Sequence, residues 1–174
     1  LVCSGHDYHT LLADQLRELN PIVCRLQMLR VRPTEELNLQ HALFTTLSCT
    51  HYDAFRDLPE TEELRAWIAR EHPDYVRDGI HLLVTPTPYG DLIIGDSHHY
   101  SDYPQPFSRE DIDATLLGLA ESTLNMPLKI VEHWAGEYGS KGQEPYSIVK
   151  ADETVTAVLM RTGLGMSVGP ALGE

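Results

Sequence analysis

Arg161-Thr-Gly-Leu-Gly-Met-Ser-Val-Gly-Pro-Ala-Leu-Gly-Glu174 follows an apolar, β-branched run, Thr154-Val-Thr-Ala-Val-Leu-Met160, that reads as a buried strand. The chain passes through Gly163 and Gly165 into what reads as the first turn of a helix. A strand, a glycine turn and a helix start leave backbone N–H groups converging on one spot, where the helix dipole favours negative charge. The stretch therefore predicts an anion seat with the amides of Leu164 to Ser167 as donors. Too few residues remain before Glu174 for a helix of ordinary length, and the sequence is expected to be a piece of a longer protein.

The other end mirrors this one. Leu1-Val-Cys-Ser-Gly5 is a short apolar run ending in glycine, followed by Asp7 as a helix cap and by Leu12, Leu16 and Leu19 at helical spacing. Strand, turn and helix in that order are half of a βαβ unit. Asn20-Pro21 ends the helix, because the residue before proline is pushed out of the helical region. From Ile22, the positions Ile22, Cys24, Leu26 and Met28 alternate with Val23, Arg25 and Gln27, which predicts a strand whose buried face carries the first set.

Between the ends, Leu43 to Cys49 has the bias of a strand and Glu60 to Glu71 reads as a short helix, with Leu64, Trp67 and Ile68 on one face. The clearest element is a hairpin: Ile80 to Thr85 and Leu92 to Gly95 flank Pro86-Thr-Pro-Tyr-Gly-Asp91. Ser108 and Asp111 have capping-box spacing before a helix with Ile112, Leu116, Leu119 and Leu124 inward. Leu128 to Trp134 is strand-like, Trp134 is expected in the core, and Gly136, Gly139 and Gly142 predict a loop. Strand and helix at both ends with an antiparallel sheet between them read as one split domain interrupted by another.

The 174 residues are 42% hydrophobic, enough for a real core. Twenty-six acidic against 13 basic residues give a net charge of −13, which argues against nucleic acid and anionic membrane surfaces as partners. No apolar run approaches the roughly 18 residues of a membrane span. Three cysteines without CxxC spacing fit a reducing cytoplasm, with Cys3 as a small core residue.

Four stretches resemble the flavin-dependent amine and amino-acid oxidases, the family of D-amino-acid oxidase, glycine oxidase and sarcosine oxidase. They are Leu1 to Gly5, Pro21 to Met28, His133-Trp-Ala-Gly136 and Thr162-Gly-Leu-Gly-Met-Ser167. Gly79 to Val84, Gly95-Asp-Ser-His-His-Tyr100 and Trp134-Ala-Gly-Glu-Tyr138 are further similar to a branch associated with aminophosphonate breakdown. The resemblance implies an α+β fold. An antiparallel-sheet substrate domain with flanking helices (22–145) would be bracketed by two βα fragments of a Rossmann-like FAD-binding domain (1–21 and 146–174). It implies FAD as cofactor and hydride transfer from an amine, an amino acid or an aminophosphonate, giving an imine. The FAD contacts it implies are Ser4, Gly5, Thr162, Gly163, Leu164, Gly165, Met166 and Ser167. The family's GxGxxG turn is absent, so a missing N-terminal FAD-binding half is implied as a partner and the 174 residues alone are expected to be inactive. Homo-oligomers are compatible with this reading.

Tyr52, His98, Tyr138 and Arg161 are the candidate substrate contacts, and no catalytic residue stands out. Where glycine oxidases carry an arginine after the Trp-x-Gly turn, this chain has Tyr138. Asp96, His98 and His99, with His51, His81 and Tyr52 elsewhere, invite a metal reading, but adjacent His98 and His99 on an extended segment point to opposite faces and do not easily share one ion, so no metal site is expected. One histidine holding a phosphonate or carboxylate, and a polar strand end with no ligand, are both open readings of this pair. Arg25, on a strand with polar alternation, is expected to be solvated. The rival from another class is a non-catalytic α+β module that binds a small anion or a partner chain. A third possibility is a histidine-based metal hydrolase.

Overall fold

Val2 donates its amide to the Thr156 carbonyl at 2.8 Å and accepts from the Val158 amide at 2.9 Å, a parallel bridge to Ala157. The computed structural model in which this pair is found describes residues 1–140 and 144–174, and Gly142 of the expected loop lies outside them. The fold is α+β, and its chain divides into two compact units. The first comprises Leu1–Arg25, Tyr100–Pro106 and Glu137–Glu174, the second Leu26–His99 and Phe107–Gly136.

The helices are α1 (Ala13–Arg17), α2 (Thr46–Cys49), α3 (Pro59–Glu71), α4 (Pro73–Arg77), α5 (Glu110–Leu124) and α6 (Gly165–Leu172). The strands are β1 (Ile22–Pro33), β2 (Leu43–Phe44), β3 (Leu83–Pro86), β4 (Leu92–Gly95), β5 (His99–Ser101), β6 (Leu128–Ser140), β7 (Tyr146–Lys150) and β8 (Thr156–Met160). The large sheet has the order β2-β3-β4-β1-β5, with β6 also against β1, while β7 and β8 pair by themselves. The β3–β4 hairpin forms as its turn residues dictate, antiparallel from Leu83↔Gly95 to Pro86↔Leu92, and Thr87 closes the turn on the Asp91 carbonyl.

In the second unit, Leu29, Val31, Leu82, Val84 and Ile94 of the sheet pack with Ile112, Leu116 and Ala120 of α5. In the first unit, Tyr8, Leu16, Val23, Ala157 and Leu159 form a smaller core. Each fully buried aliphatic side chain contributes about 1.5–3 kcal/mol.

Several expectations are corrected. The more buried face of β1 is the opposite one: Val23, Arg25, Gln27, Leu29 and Val31 are buried, whereas of the expected set only Cys24 is buried and Ile22, Leu26 and Met28 are half-buried. Polar residues are accepted there because they are bonded. Arg25 is 7% exposed and its Nη2 donates to the Pro106 carbonyl, so it is not solvated. The amide of Gln27 holds Arg109 and Asp113. The Leu43–Cys49 strand stops after two residues, because Thr45 turns onto the Leu82 carbonyl through both its amide and its hydroxyl and starts α2. Asp7 makes a turn instead of capping a helix, its Oδ1 accepting the His9 and Thr10 amides. Ser108 is not the cap of α5; Arg109 occupies that position.

Gly136 and Gly139 lie inside β6 instead of a loop. Gly139 is required there, since a Cβ would overlap the Tyr8 hydroxyl and meet the Met160 carbonyl. Trp134 is 41% exposed, in a run exposed from Lys129 through Trp134, and is not core. Cys3 is exposed, and the Leu1–Gly5 strand reduces to the single bridge at Val2. No helix among the described residues is long and apolar enough to cross a membrane.

Candidate functional site

The first unit holds the two glycine turns. Parallel neighbours run in the same direction, so the Ser4–Gly5 turn after Val2 and the Thr162–Gly163 turn after Met160 leave the pair at the same end. Gly5 takes φ 65°, which glycine adopts without strain, and Ser4 Oγ donates to the Asp7 carbonyl at 2.9 Å. Leu164 is the N-cap of α6. Its amide donates to Thr162 Oγ1 at 3.3 Å, and the Ser167 amide donates back to the Leu164 carbonyl at 2.9 Å. The donors available to a ligand narrow to the Gly165 and Met166 amides.

Tyr138 lies over this turn, and a Cβ at Gly163 would sit 3.6 Å from its ring. Burial, followed by contacts with Cys24 and Tyr100, pushes the Tyr138 hydroxyl well above the usual phenol range, so it stays a protonated donor. Arg161 is turned to structural work: Nη2 donates to the Leu19 carbonyl at 2.9 Å and Nη1 to Ser147 Oγ at 3.4 Å. Tyr8, 2% exposed and donating to the Met160 carbonyl at 3.2 Å, anchors the end of β8 from below. Its position carries no sequence signal beyond an aromatic ring near a turn.

The second unit gathers histidines. His81 and Asp96 exchange backbone hydrogen bonds at 3.1 and 2.9 Å, which extends the β3–β4 ladder and puts their side chains on one face. His98 follows, 7% exposed, with its Nδ1 donating to the Gly79 carbonyl at 3.0 Å. Gly79 has φ 57°, and a Cβ there would come within 2.8 Å of His98 Cβ, so only glycine lets this residue in. His51, just past α2, brings its ring centroid to 4.2 Å from His98 and 4.5 Å from His81. Tyr52 stands edge-on, 5.9 Å from His81. Burial lowers His81 to about 3 and His98 to about 4, and raises the Asp96 carboxyl to about 7. Tyr52 and His98 thus belong to the second unit, and Tyr138, Arg161 and both glycine turns to the first. Ser48, whose Oγ meets His81 Nδ1 at 3.1 Å, was hidden in a stretch that reads as a strand.

No protein-family model matches the chain, and no curated protein matches it by sequence. By fold it is similar to glycine oxidase from Bacillus cereus ATCC 14579, with a TM-score of 0.63 and 14% identity over 99% of this chain and 39% of that one. Glycine oxidase from Geobacillus kaustophilus is similar with a TM-score of 0.55 and 13% identity, over 87% of this chain and 33% of that one. The chain spans about two fifths of the length of the first and a third of the second, and at these identities the likeness is one of fold.

Proposed function

We propose that this chain supplies the substrate domain and two pieces of the flavin domain of an FAD-dependent amine oxidoreductase, the ADP-binding part being carried by other residues. The observation that supports this most directly is the fold likeness to glycine oxidase over nearly the whole chain. The glycine turns of the first unit fit such a cofactor. Gly163 leaves open a space that a Cβ would fill beneath Tyr138, and the Gly165 and Met166 amides stand at the start of α6.

Bound FAD would supply the acceptor for a hydride leaving the carbon next to the amine. The chain's own part is electrostatic. A helix N-terminus carries about half a positive charge, and two backbone donors there stabilise negative charge on a reduced ring without any titrating side chain. The protonated Tyr138 hydroxyl adds a neutral donor. The substrate would be an amine bearing an anionic group, an amino acid or an aminophosphonate.

The test compares the 174 residues alone with the protein expressed from the whole open reading frame that encodes them. After gel filtration the longer protein is expected to keep visible flavin absorbance and to bleach anaerobically with one of glycine, sarcosine or 2-aminoethylphosphonate. The 174 residues alone are expected to lose the flavin. A longer protein that holds no flavin would overturn the reading.

A further inference from the structure

We propose that His51, His81 and His98 form a binding site for a divalent transition-metal ion of the zinc class. One ring nitrogen from each residue lies within 4.8 Å of the others. Imidazole nitrogens bound at about 2.0–2.1 Å around a tetrahedral ion lie about 3.4 Å apart, so the group closes on an ion by little more than rotamer adjustment.

The surroundings point the same way. His98 Nδ1 donates to the Gly79 carbonyl, which makes Nε2 the lone-pair nitrogen. His81 Nδ1 faces Ser48 Oγ, and that hydroxyl donates onward to the Leu82 carbonyl. Metal-binding histidines are oriented by outer partners of this kind, a backbone carbonyl for one ring and a hydroxyl for the other. His81 Nε2 and Asp96 Oδ1 are both buried and 3.1 Å apart, yet neither makes a hydrogen bond among the described residues, and the only other ion-pair contact at this carboxylate oxygen among them is His98 Nδ1 at 3.9 Å. Two buried, unpaired polar atoms facing each other are costly, and a cation beside them relieves both. His51 is the exposed member and leaves the solvent side open for a further ligand such as water.

An anion clamp is the competing use of clustered histidines. Here His81 and His98 are buried, and the Asp96 carboxyl lies 3.1 Å from His81 Nε2, where a second anion would meet like charge and a cation would not.

The test uses the whole chain, stripped with a chelator and titrated with zinc by calorimetry. Cobalt(II) absorption then reports the coordination geometry. One zinc per chain is expected, with a rise in melting temperature. His51→Ala changes an exposed residue and leaves the fold intact by circular dichroism. It is expected to cost more than the roughly 10- to 100-fold typical of an outer-partner mutation and to abolish the thermal shift. His41→Ala, at an exposed histidine outside the group, is expected to bind as the parent does. Less than one zinc per chain would overturn the proposal. So would a folded His51→Ala variant that binds as tightly as the parent.

Discussion

Gly139 lies against the hydroxyl of Tyr8, so near that any side chain at 139 would overlap that oxygen and come 2.7 Å from the Met160 carbonyl. Tyr8 is 2% exposed and has no room to retreat. Gly139→Ala is therefore expected to destabilise the chain by about 1–3 kcal/mol, read as a lower urea midpoint. Tyr8→Phe alone loses the hydrogen bond to Met160, about 1 kcal/mol. The double variant is expected to be more stable than the sum of the two, because Phe removes one of the two overlapping atoms. Strict additivity would show that the two residues do not touch.

Gln27 fastens β1 to the start of α5. Its Oε1 accepts the Arg109 amide at 2.9 Å, while Nε2 donates to the Arg109 carbonyl at 3.0 Å and to Asp113 Oδ1 at 2.7 Å. The N-cap residue Arg109 makes no side-chain cap bond of its own, and this distant side chain takes its amide instead. Gln27→Leu keeps the volume and strands those partners. A loss of about 2–4 kcal/mol in chemical denaturation is expected, against a negligible change if water takes over the contacts.

Asp91 makes the acid limit of the second unit legible. It is 1% exposed, and Arg32 and Arg30 hold its carboxylate: Arg32 Nε at 2.7 Å, Arg30 Nε at 2.8 Å and Arg30 Nη2 at 2.6 Å. Hydrogen bonds from Arg32 and then Arg30 lower it to about 2. A carboxyl whose folded value lies below its unfolded value of about 4 stabilises the fold fully above that value. That stabilisation drains away between about pH 4 and about pH 2. The stability gap between the parent and Asp91→Asn is therefore expected to be widest near neutral pH and to shrink across that acid window. A pH-independent gap would mean that the arginines do not bias the titration.

How far the sequence carried is set by where the deciding interactions are local. The β3–β4 hairpin is readable because proline and glycine fix its turn, and α3 because Leu64 and Ile68 recur at helical spacing within it. In β1 the apolar alternation points to the less buried face. Alternation counts apolar residues, whereas Arg25 and Gln27 go inside through bonds to Pro106 and Arg109, some eighty residues away. The glycines of β6 were read as loop for the same reason: what demands Gly139 is a tyrosine at position 8. The gathering of His51 with His81 and His98 depends on α2, which replaces an expected strand, and on the space left by Gly79.

Gly163 separates folding from the proposed cofactor role. Its backbone is outside the left-handed region, and an added Cβ would rest 3.6 Å from Tyr138, an ordinary contact. Gly163→Ala is therefore expected to fold as well as the parent or to gain about 0.4–1 kcal/mol from a less disordered unfolded chain. At Gly165 the near atom is the Met160 side chain at 3.2 Å, flexible enough to yield. If the turn seats a flavin, both variants of the protein from the whole reading frame keep their melting temperature and lose flavin, because the methyl group fills the approach to the backbone. Flavin content unchanged in both would reduce the turn to a plain connection between β8 and α6. Loss of flavin and of folding together would assign the glycines to packing.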